Sequence, residues 1–254
     1  MKTKAMIRIT VCSLLFLMLL GLMLGGLRLL NFFRSEVSGE STVLERKVEA
    51  REFSRLEIEW AAGSITIKHG LVTDEIVIRE VKDSKNRCTM TTEFDDDTLK
   101  ISFGDSGWNL GNHAGKDLVI LVPSHWNCSQ LEISGAALNI DINGLDVDRF
   151  ELAGAANKLA FKGEIHDISV EGAANVLNIS SDKGPGRVNV EGMGCTLDLT
   201  LPSNLGFDAA LNGLGVGFHS DLEYNKDGNS YVYGNEACKI EISGLGCKLN
   251  VSQA

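Results

Sequence analysis

Proline and aromatic side chains are scarce in this sequence. Its 254 residues include only 3 prolines, and aromatic residues make up 6% of the chain, whereas glycine occurs 27 times. Glycine supplies tight turns and close backbone approaches, and it weakens helices. This balance therefore favours a β protein with many turns over a helical bundle.

The motifs that mark common active sites and metal sites are also missing. The sequence has no phosphate-binding loop, no dinucleotide-binding fingerprint and no Gly-x-Ser-x-Gly motif. None of the six cysteines stands in Cys-x-x-Cys spacing, and the five histidines form no His-x-x-x-His or Glu-x-x-His pair. We therefore predict no catalytic residue, no cofactor, no metal ligand and no enzymatic activity.

Acidic residues outnumber basic ones, and the charge is unevenly distributed. The chain has a formal net charge of −10. Residues 1–34 contain no acid, and their five cations are Lys2, Lys4, Arg8, Arg28 and Arg34. The remaining chain is therefore strongly acidic. Such a domain repels phosphate backbones, which argues against nucleic acid as a partner.

Residues 9–27 form an uncharged, mostly apolar run of a length that can cross a bilayer as a helix. Three cations precede the run and favour a cytoplasmic N-terminus. We predict a cytoplasmic tip and transmembrane anchor in residues 1–34, a linker in 35–55 and an extracytoplasmic domain in 56–254, so that the protein lies in the cell membrane as a single-pass protein. A cleaved signal peptide is the alternative, with a weak site at Val37-Ser38-Gly39.

A glycine corner recurs six times in residues 124–254. The corners begin at Gly135, Gly154, Gly172, Gly192, Gly213 and Gly244. Apolar residues alternate with polar ones before and after most of these glycines, which predicts two short strands per unit. The residue two positions after each glycine is Ala or Gly, and we expect that only a small side chain fits there. Asn157 and Asn175 share one repeat position, which predicts an asparagine ladder.

Units of about 19 residues cannot bury an apolar face alone, so we expect them to stack as a parallel β-helix-like solenoid. A sandwich or barrel of antiparallel hairpins is the alternative. Irregular strands are expected across residues 56–123 as the first turns of the same domain. Asp227-Gly228 predicts a hairpin within 222–236, projecting from the stack.

These patterns resemble the bacterial putative-adhesin family of β-strand-repeat domains, also described as toast-rack domains. The resemblance is carried by residues 52–58, 63–67 and 118–123 and by the repeated Leu-x-Ile-x-Gly corners. It implies a right-handed parallel β-helix outside the membrane, often tethered by N-terminal helices. Some relatives accompany envelope-stress systems. The family has no catalytic residue to carry over.

A few residues are candidates for sites. Asp141, Asn143, Asp146 and Asp148 place oxygen ligands at intervals that could contact calcium, but Asn143-Gly144 is also an ordinary turn. Cys195 and Cys247 occupy one repeat position, as buried hydrophobes or a disulfide, and the sequence places a full unit between them. Five cysteines lie outside the anchor, so at least one is unpaired within the monomer. The outward repeat positions are mostly neutral, which disfavours a polysaccharide-cleaving site; they are Asn139, Lys158, Val176, Thr196, Gly217 and Lys248. Substitution of Asp141 and Asp198, with loss of any detected glycan cleavage, would support such a site.

We therefore expect a non-catalytic, surface-displayed binding domain with an adhesin-like role. An accessory subunit of an envelope-stress or signalling complex is the first alternative, and a polysaccharide-active β-helix enzyme is a weaker one. The partner is expected to be a protein or a glycan. The last unit ends at Val251, three residues before the chain does. Either the 222–236 hairpin covers this last unit, or the last unit mediates self-association.

Overall fold

The computed structural model describes residues 41–71, 73–83, 88–104 and 115–254. This part of the chain is all-β apart from a short 3-10 turn at Ala50–Glu52, and its strands form two large mixed sheets. Within these ranges no helix has the length and apolar character needed to cross a membrane. The predicted anchor and the weak cleavage site lie outside the described residues.

Seven strands precede the glycine-corner repeats in the described ranges. They are β1 (Ser41–Glu49), β2 (Arg55–Trp60), β3 (Gly63–Leu71), β4 (Glu75–Asp83), β5 (Thr91–Asp95), β6 (Thr98–Ser102) and β7 (Lys116–Pro123). The irregular strands expected in residues 56–123 are therefore present. They belong to the same two sheets as the repeats.

Each glycine-corner unit supplies two strands, as the alternating pattern predicted. The first four units give β8 (Cys128–Ala136) and β9 (Leu138–Asn143), β10 (Val147–Ala155) and β11 (Lys158–Lys162), β12 (Ile165–Ala173) and β13 (Val176–Ser180), and β14 (Arg187–Met193) and β15 (Thr196–Leu201). The fifth unit gives β16 (Phe207–Leu214) and β17 (Gly217–Ser220), and the sixth gives β20 (Cys238–Leu245) and β21 (Lys248–Gln253). The predicted hairpin is β18 (Asn225–Asp227) and β19 (Ser230–Tyr233).

The two strands of each unit lie in different sheets. Sheet A has the order β1-β4-β7-β3-β9-β11-β13-β15-β21-β17, and sheet B has the order β18-β19-β16-β20-β14-β12-β10-β8-β2-β6-β5. Neighbouring repeat strands pair in parallel, and equivalent residues face each other, as Gly154 does with Gly135 on one side and Gly172 on the other. Like residues of successive units therefore form columns that run across each sheet.

The apolar core lies between the sheets. Along β9 buried and exposed residues alternate strictly, because successive side chains of a strand point to opposite faces. The buried apolar residues, from Ala50 to Val251, form a single cluster. A unit buries its apolar face only through its neighbours, which explains why the same alternation recurs in each one.

The order of units in space differs from their order in the chain at one place. The fourth unit, β14 and β15, pairs with the sixth unit, β20 and β21, rather than with the fifth. The fifth unit, β16 and β17, then pairs with the outer side of the sixth. We call β20 and β21 the final rung. Both of its sides are paired with other strands, so the rung that ends the chain does not end the stack.

The linker predicted for residues 35–55 is wrong for residues 41–49. They form β1, which pairs antiparallel with β4 along its whole length. Strand β5, at the edge of sheet B, was also not predicted. Both are edge strands with weak apolar alternation, and large apolar side chains on them stay exposed, such as Val43 at 57% and Phe94 at 50%.

Candidate functional site

The first glycine of each corner is required by a close backbone approach. A Cβ built on Gly172 would lie 1.8 Å from the carbonyl oxygen of Gly154, and one on Gly192 would lie 2.0 Å from that of Gly172. Real atoms do not approach so closely, so these positions accept no side chain. The same contact recurs at each corner glycine and sets the spacing of the stack there.

The residue two positions later turns the chain from one sheet to the other. Ala137, Ala156 and Ala174 have φ between 55° and 58°, and Gly194 and Gly246 have φ of 65° and 64°. This left-handed backbone is unfavourable for residues other than glycine. A Cβ on Gly194 or Gly246 would meet nothing within 4 Å. Our steric explanation of the small residue is therefore wrong, because backbone conformation, not space, limits the choice.

The next residue points inward and links one rung to the next. Asn157 and Asn175 are fully buried. Nδ2 of Asn157 donates to Gly135 O at 3.2 Å, and Nδ2 of Asn175 donates to Gly154 O at 3.1 Å. Their side-chain oxygens accept from the backbone N–H of Leu138 and of Asn157 in turn. The predicted asparagine ladder is confirmed, and it satisfies polar groups that burial would otherwise leave unpaired.

The residue directly after the corner glycine changes along the stack, and its exposure ranges from buried at Ala173 to exposed at Leu245 and Leu214. In spatial order this column reads Ala136, Ala155, Ala173, Met193, Leu245 and Leu214. Leu245 is 47% exposed and Leu214 is 75% exposed. We call Met193, Leu245 and Leu214 the apolar corner. It forms a continuous apolar strip on adjacent rungs at the end of the stack that holds the fifth unit.

An aromatic cluster closes the same end of the core. Phe207 and Tyr233 come from sheet B and Phe218 from sheet A, and the ring of Phe218 stacks on Tyr231 with centroids 4.3 Å apart. Tyr224 packs edge-on against Phe218 at 5.0 Å. We call these five rings the aromatic cap. All three tyrosines of the chain lie in it, and Tyr224 remains 37% exposed.

The predicted hairpin therefore covers only one of the two sheets at this end. Strand β19 pairs antiparallel with β16 and extends sheet B. In sheet A, β17 pairs with β21 on one side and is the last strand of the order. The edge of β17 lies beside the apolar corner, on the same unit as Leu214.

The outward face of sheet B carries columns of acidic residues. Glu57 pairs in register with Glu132, and Glu132 with Glu151, so their side chains repeat at the strand spacing of about 4.8 Å. Burial raises the pKa of Glu132, and the neighbouring charges of Glu151 and Glu57 raise it further. Hydrogen bonds from Lys100 to Glu57 and Glu59 raise the pKa of that lysine. One lysine thus offsets only one end of this acidic column.

A polar groove of about 470 Å³ lies beside these columns. It is lined by Arg55, Ser129, Gln130, Asp148, Arg149, His166 and Asp167. Arg55 donates to Gln130 Oε1 at 2.6 Å, and His166 Nδ1 lies 3.3 Å from Asp167 Oδ1. Sites for small molecules are usually lined by apolar and aromatic side chains with a few polar groups. This lining is polar or charged throughout, so the groove is a weaker candidate than the apolar corner.

A buried ion pair joins Lys116 and Glu80 near the other end of the stack. Both side chains are fully buried, and the ammonium lies over the ring of Phe103, 3.9 Å from its centroid. Burial lowers the pKa of Lys116, against the opposing effect of Glu80. Glu80 also accepts from the backbone N–H of Met90. The cluster is enclosed by core side chains and therefore has a structural role.

The candidate site residues from the sequence do not come together. Asp141 and Asp198 share an outward column but are three strand spacings apart, or about 14 Å, which exceeds the separation of paired glycosidase carboxylates. Gly144 has φ of 80°, which fits the turn interpretation of residues 141–148. Among the described residues, no group of three or more His, Cys, Asp or Glu could hold a metal ion.

The described cysteines are thiols in this structure, and four of them are buried. Burial raises the pKa of Cys128 and of Cys238 to about 12. A raised pKa keeps these two thiols protonated at neutral pH, which disfavours the nucleophilic thiolate. Cys195 and Cys247 lie next to each other rather than a unit apart, because the final rung pairs with the fourth unit.

The apolar corner has a signal in the sequence that was not among the predicted sites. The column after the corner glycine changes from Ala to Met and Leu across the six aligned units. The third residue of the corner is Ala or Gly in every unit, so its pattern draws attention first, as a structural constraint on the turn. The informative position is the adjacent one, where size increases although the site is exposed.

Known proteins resemble this chain in structure and not in sequence. No protein-family model matches it, and no curated protein matches it. A putative cell adhesion protein from Clostridium sporogenes has a TM-score of 0.54 at 15% identity, over 85% of this chain and all of that one (100%). A putative adhesin from Bacteroides fragilis has a TM-score of 0.44 at 12% identity, over 83% of this chain and 97% of that one. The first likeness confirms the resemblance expected from sequence at the level of the fold.

Proposed function

We propose that the chain is a non-catalytic, surface-displayed binding domain with an adhesin-like role, and that it contacts a protein partner through the apolar corner. The observation that carries this proposal is the exposure of Leu214 and Leu245, at 75% and 47%, at a repeat position where three other units hold Ala. Exposed contiguous apolar side chains mark interaction sites, because leaving them in water has a free-energy cost.

The chemistry of this surface favours a protein over a glycan. Leucine and methionine side chains offer no hydrogen bonds to sugar hydroxyls, whereas methionine and tyrosine are enriched at protein interfaces. Tyr224 of the aromatic cap adds a partly exposed ring at the same end. The fold shared with the Clostridium sporogenes protein, described as a putative cell adhesion protein, supports the same proposal.

Display of the domain rests on the N-terminal segment. We propose that residues 9–27 form a single membrane anchor with the N-terminus in the cytoplasm, and that the repeats are a right-handed β-helix-like solenoid outside the cell. Only residues 35–40 separate Arg34 from β1, which is the first strand of sheet A, whereas β17 is the last. Nine strand spacings, or about 43 Å, lie between them.

Binding of immobilised ligands tests the proposed function. Full-length chain in detergent is applied to a panel of extracellular-matrix proteins and glycans, and Leu214→Ala with Leu245→Ala is compared with the unmodified chain. Alanine occupies the equivalent position in three units, so the double variant should keep its fold and melting temperature. We expect at least a tenfold loss of binding to a protein ligand.

The matched control is Val43→Ala, which removes an exposed apolar side chain from β1 at the opposite edge. It should bind as the unmodified chain does. Equal binding by the double variant, or binding of glycans alone, would contradict the proposal. Binding only to a co-expressed membrane protein would point instead to an accessory subunit of an envelope complex.

A further inference from the structure

Cys195 and Cys247 meet where the final rung joins the fourth unit. They occupy the same corner position, three residues after Gly192 and Gly244, and the strands that follow pair in register from Thr196 with Lys248. The N–H of Lys248 donates to Cys195 O at 2.8 Å. The two cysteines are therefore one strand spacing apart, about 4.8 Å, which lies within the Cα separation that a disulfide spans.

The two side chains are buried together. They are 1% and 0% exposed, and the Cys247 thiol adds to the effect of burial in raising the pKa of Cys195. Each thiol also points toward a glycine carbonyl of the rung beneath it, Cys195 to Gly172 O at 3.7 Å and Cys247 to Gly192 O at 3.4 Å. Asn157 and Asn175 make the corresponding bonds lower in the column. A thiol is a weak donor, so little is lost if these contacts are exchanged for a covalent bond.

We propose that Cys195 and Cys247 form a disulfide that fastens the final rung to the fourth unit. The oxidant is a disulfide of a small thiol or of an oxidoreductase, which reacts by thiol–disulfide exchange. Both S–H bonds are broken, one S–S bond forms between Cys195 and Cys247, and the oxidant takes up two protons and two electrons to become a dithiol or two thiols.

The bond forms as the final rung docks. In the folded chain both thiols are buried, and burial raises the pKa of Cys195, which suppresses the reactive thiolate. Until β20 and β21 dock, the side of β14 and β15 that they cover is open, so Cys195 is accessible to the oxidant. The cross-link then encloses residues 196–246, which contain the whole fifth unit and the hairpin.

Refolding in a redox buffer tests the proposal. Full-length chain in detergent is unfolded with urea and reductant, refolded by dilution into reduced and oxidised glutathione, alkylated and mapped by mass spectrometry. We expect a single peptide pair linking Cys195 with Cys247, and alkylated Cys88, Cys128 and Cys238. Alkylation of both Cys195 and Cys247, or linkage scrambled among all cysteines, would overturn the proposal.

Variants taken from the repeat itself provide the control. Val216 fills the same corner position in the fifth unit, so Cys195→Val with Cys247→Val should fold. Oxidation should raise the melting temperature of the unmodified chain by about 5 °C or more, and reductant should reverse the rise. The rise should persist in Cys128→Val with Cys238→Val and vanish in Cys195→Val with Cys247→Val. Neither readout depends on a binding partner, so the result stands apart from the proposed function.

Discussion

Two glycines of one corner are fixed by different physical constraints. Gly192 lacks a left-handed φ, but a Cβ there would lie 2.0 Å from Gly172 O. Gly194 has φ of 65° and open space around its missing Cβ. The first glycine is thus required by the approach of a neighbouring rung, and the second by the turn of its own backbone.

Alanine at these two positions should separate the constraints. Gly192→Ala must push two rungs apart, and we expect a loss of about 3 kcal/mol or more in the free energy of unfolding. Gly194→Ala should cost only about 1 kcal/mol, as the left-handed alanines of other corners do. Urea unfolding curves measure both values. Equal losses would contradict this assignment, and Ala174→Gly should stabilise by up to about 1 kcal/mol.

Glu132 should lower the stability of the folded chain at neutral pH. Its pKa is raised above the ordinary 4.5 by burial and by the charges of Glu151 and Glu57. In the pH window between the unfolded and the folded pKa, the folded chain therefore retains a proton that the unfolded chain has lost. Stability therefore falls as pH rises through that window, and the cost persists at neutral pH. Glu132→Gln should raise the melting temperature at pH 7, and the gain should shrink toward pH 4. A gain that is constant across this range would show that charge is not the cause.

The sequence was sufficient to predict which residues repeat in columns, but not the backbone conformation or the burial that explains each residue type. The corner glycines, the inward alternation and the Asn157–Asn175 ladder were predictable because parallel stacking places like on like. The left-handed φ of Ala156 was not, since alanine seldom adopts it. The burial of Lys116 was not either, because a lysine that opens a strand ordinarily faces solvent.

Among the elements, strands with two neighbours were predictable, whereas the edge strands β1 and β5 were not. Strands β2 and β3 alternate clearly because their inward residues reach the core. Strand β1 has one neighbour, β4, and its sequence follows charge as much as burial: Arg79 Nε bonds Glu45 Oε2 at 2.7 Å across that pair. Alternation weakens where only one side of a strand is covered, so the linker was predicted too long.

Strands β4 and β7 depend on the buried pair of Glu80 and Lys116. Removing one partner leaves an uncompensated buried charge, so Lys116→Met should cost about 3–5 kcal/mol of stability. The double variant Glu80→Leu with Lys116→Met should recover part of this, although Met90 N–H would lose its acceptor. Thermal unfolding of the unmodified chain, the single variant and the double variant measures these differences in stability. A single variant as stable as the unmodified chain would contradict this prediction.

On the scale of the whole molecule, the order of the rungs is the feature that the sequence concealed. Six similar units carry equivalent apolar positions, so the pattern alone cannot distinguish which unit stacks on which. We expected the sixth unit at the end of the stack, and it lies between the fourth and the fifth. The long segment between Leu214 and Cys238, with its hairpin, allows the sixth unit to reach back and pair between the fourth unit and the fifth.

This arrangement makes the fifth unit depend on residues that follow it in the chain. Among the strands that the structure describes, β16 and β17 pair only with β20, β21 and the hairpin strand β19. A chain ending at Ala237 should therefore lose protection from amide hydrogen exchange throughout 207–233, while 128–180 stays protected. Replacing residues 222–233 by a short glycine–serine link should instead leave the final rung protected, because β14 and β15 still pair with it. Exchange measured by mass spectrometry distinguishes the two chains. If residues 207–218 remain protected without the final rung, the fifth unit has another support, and the apolar corner that it carries would be a surface of a smaller, independent fold.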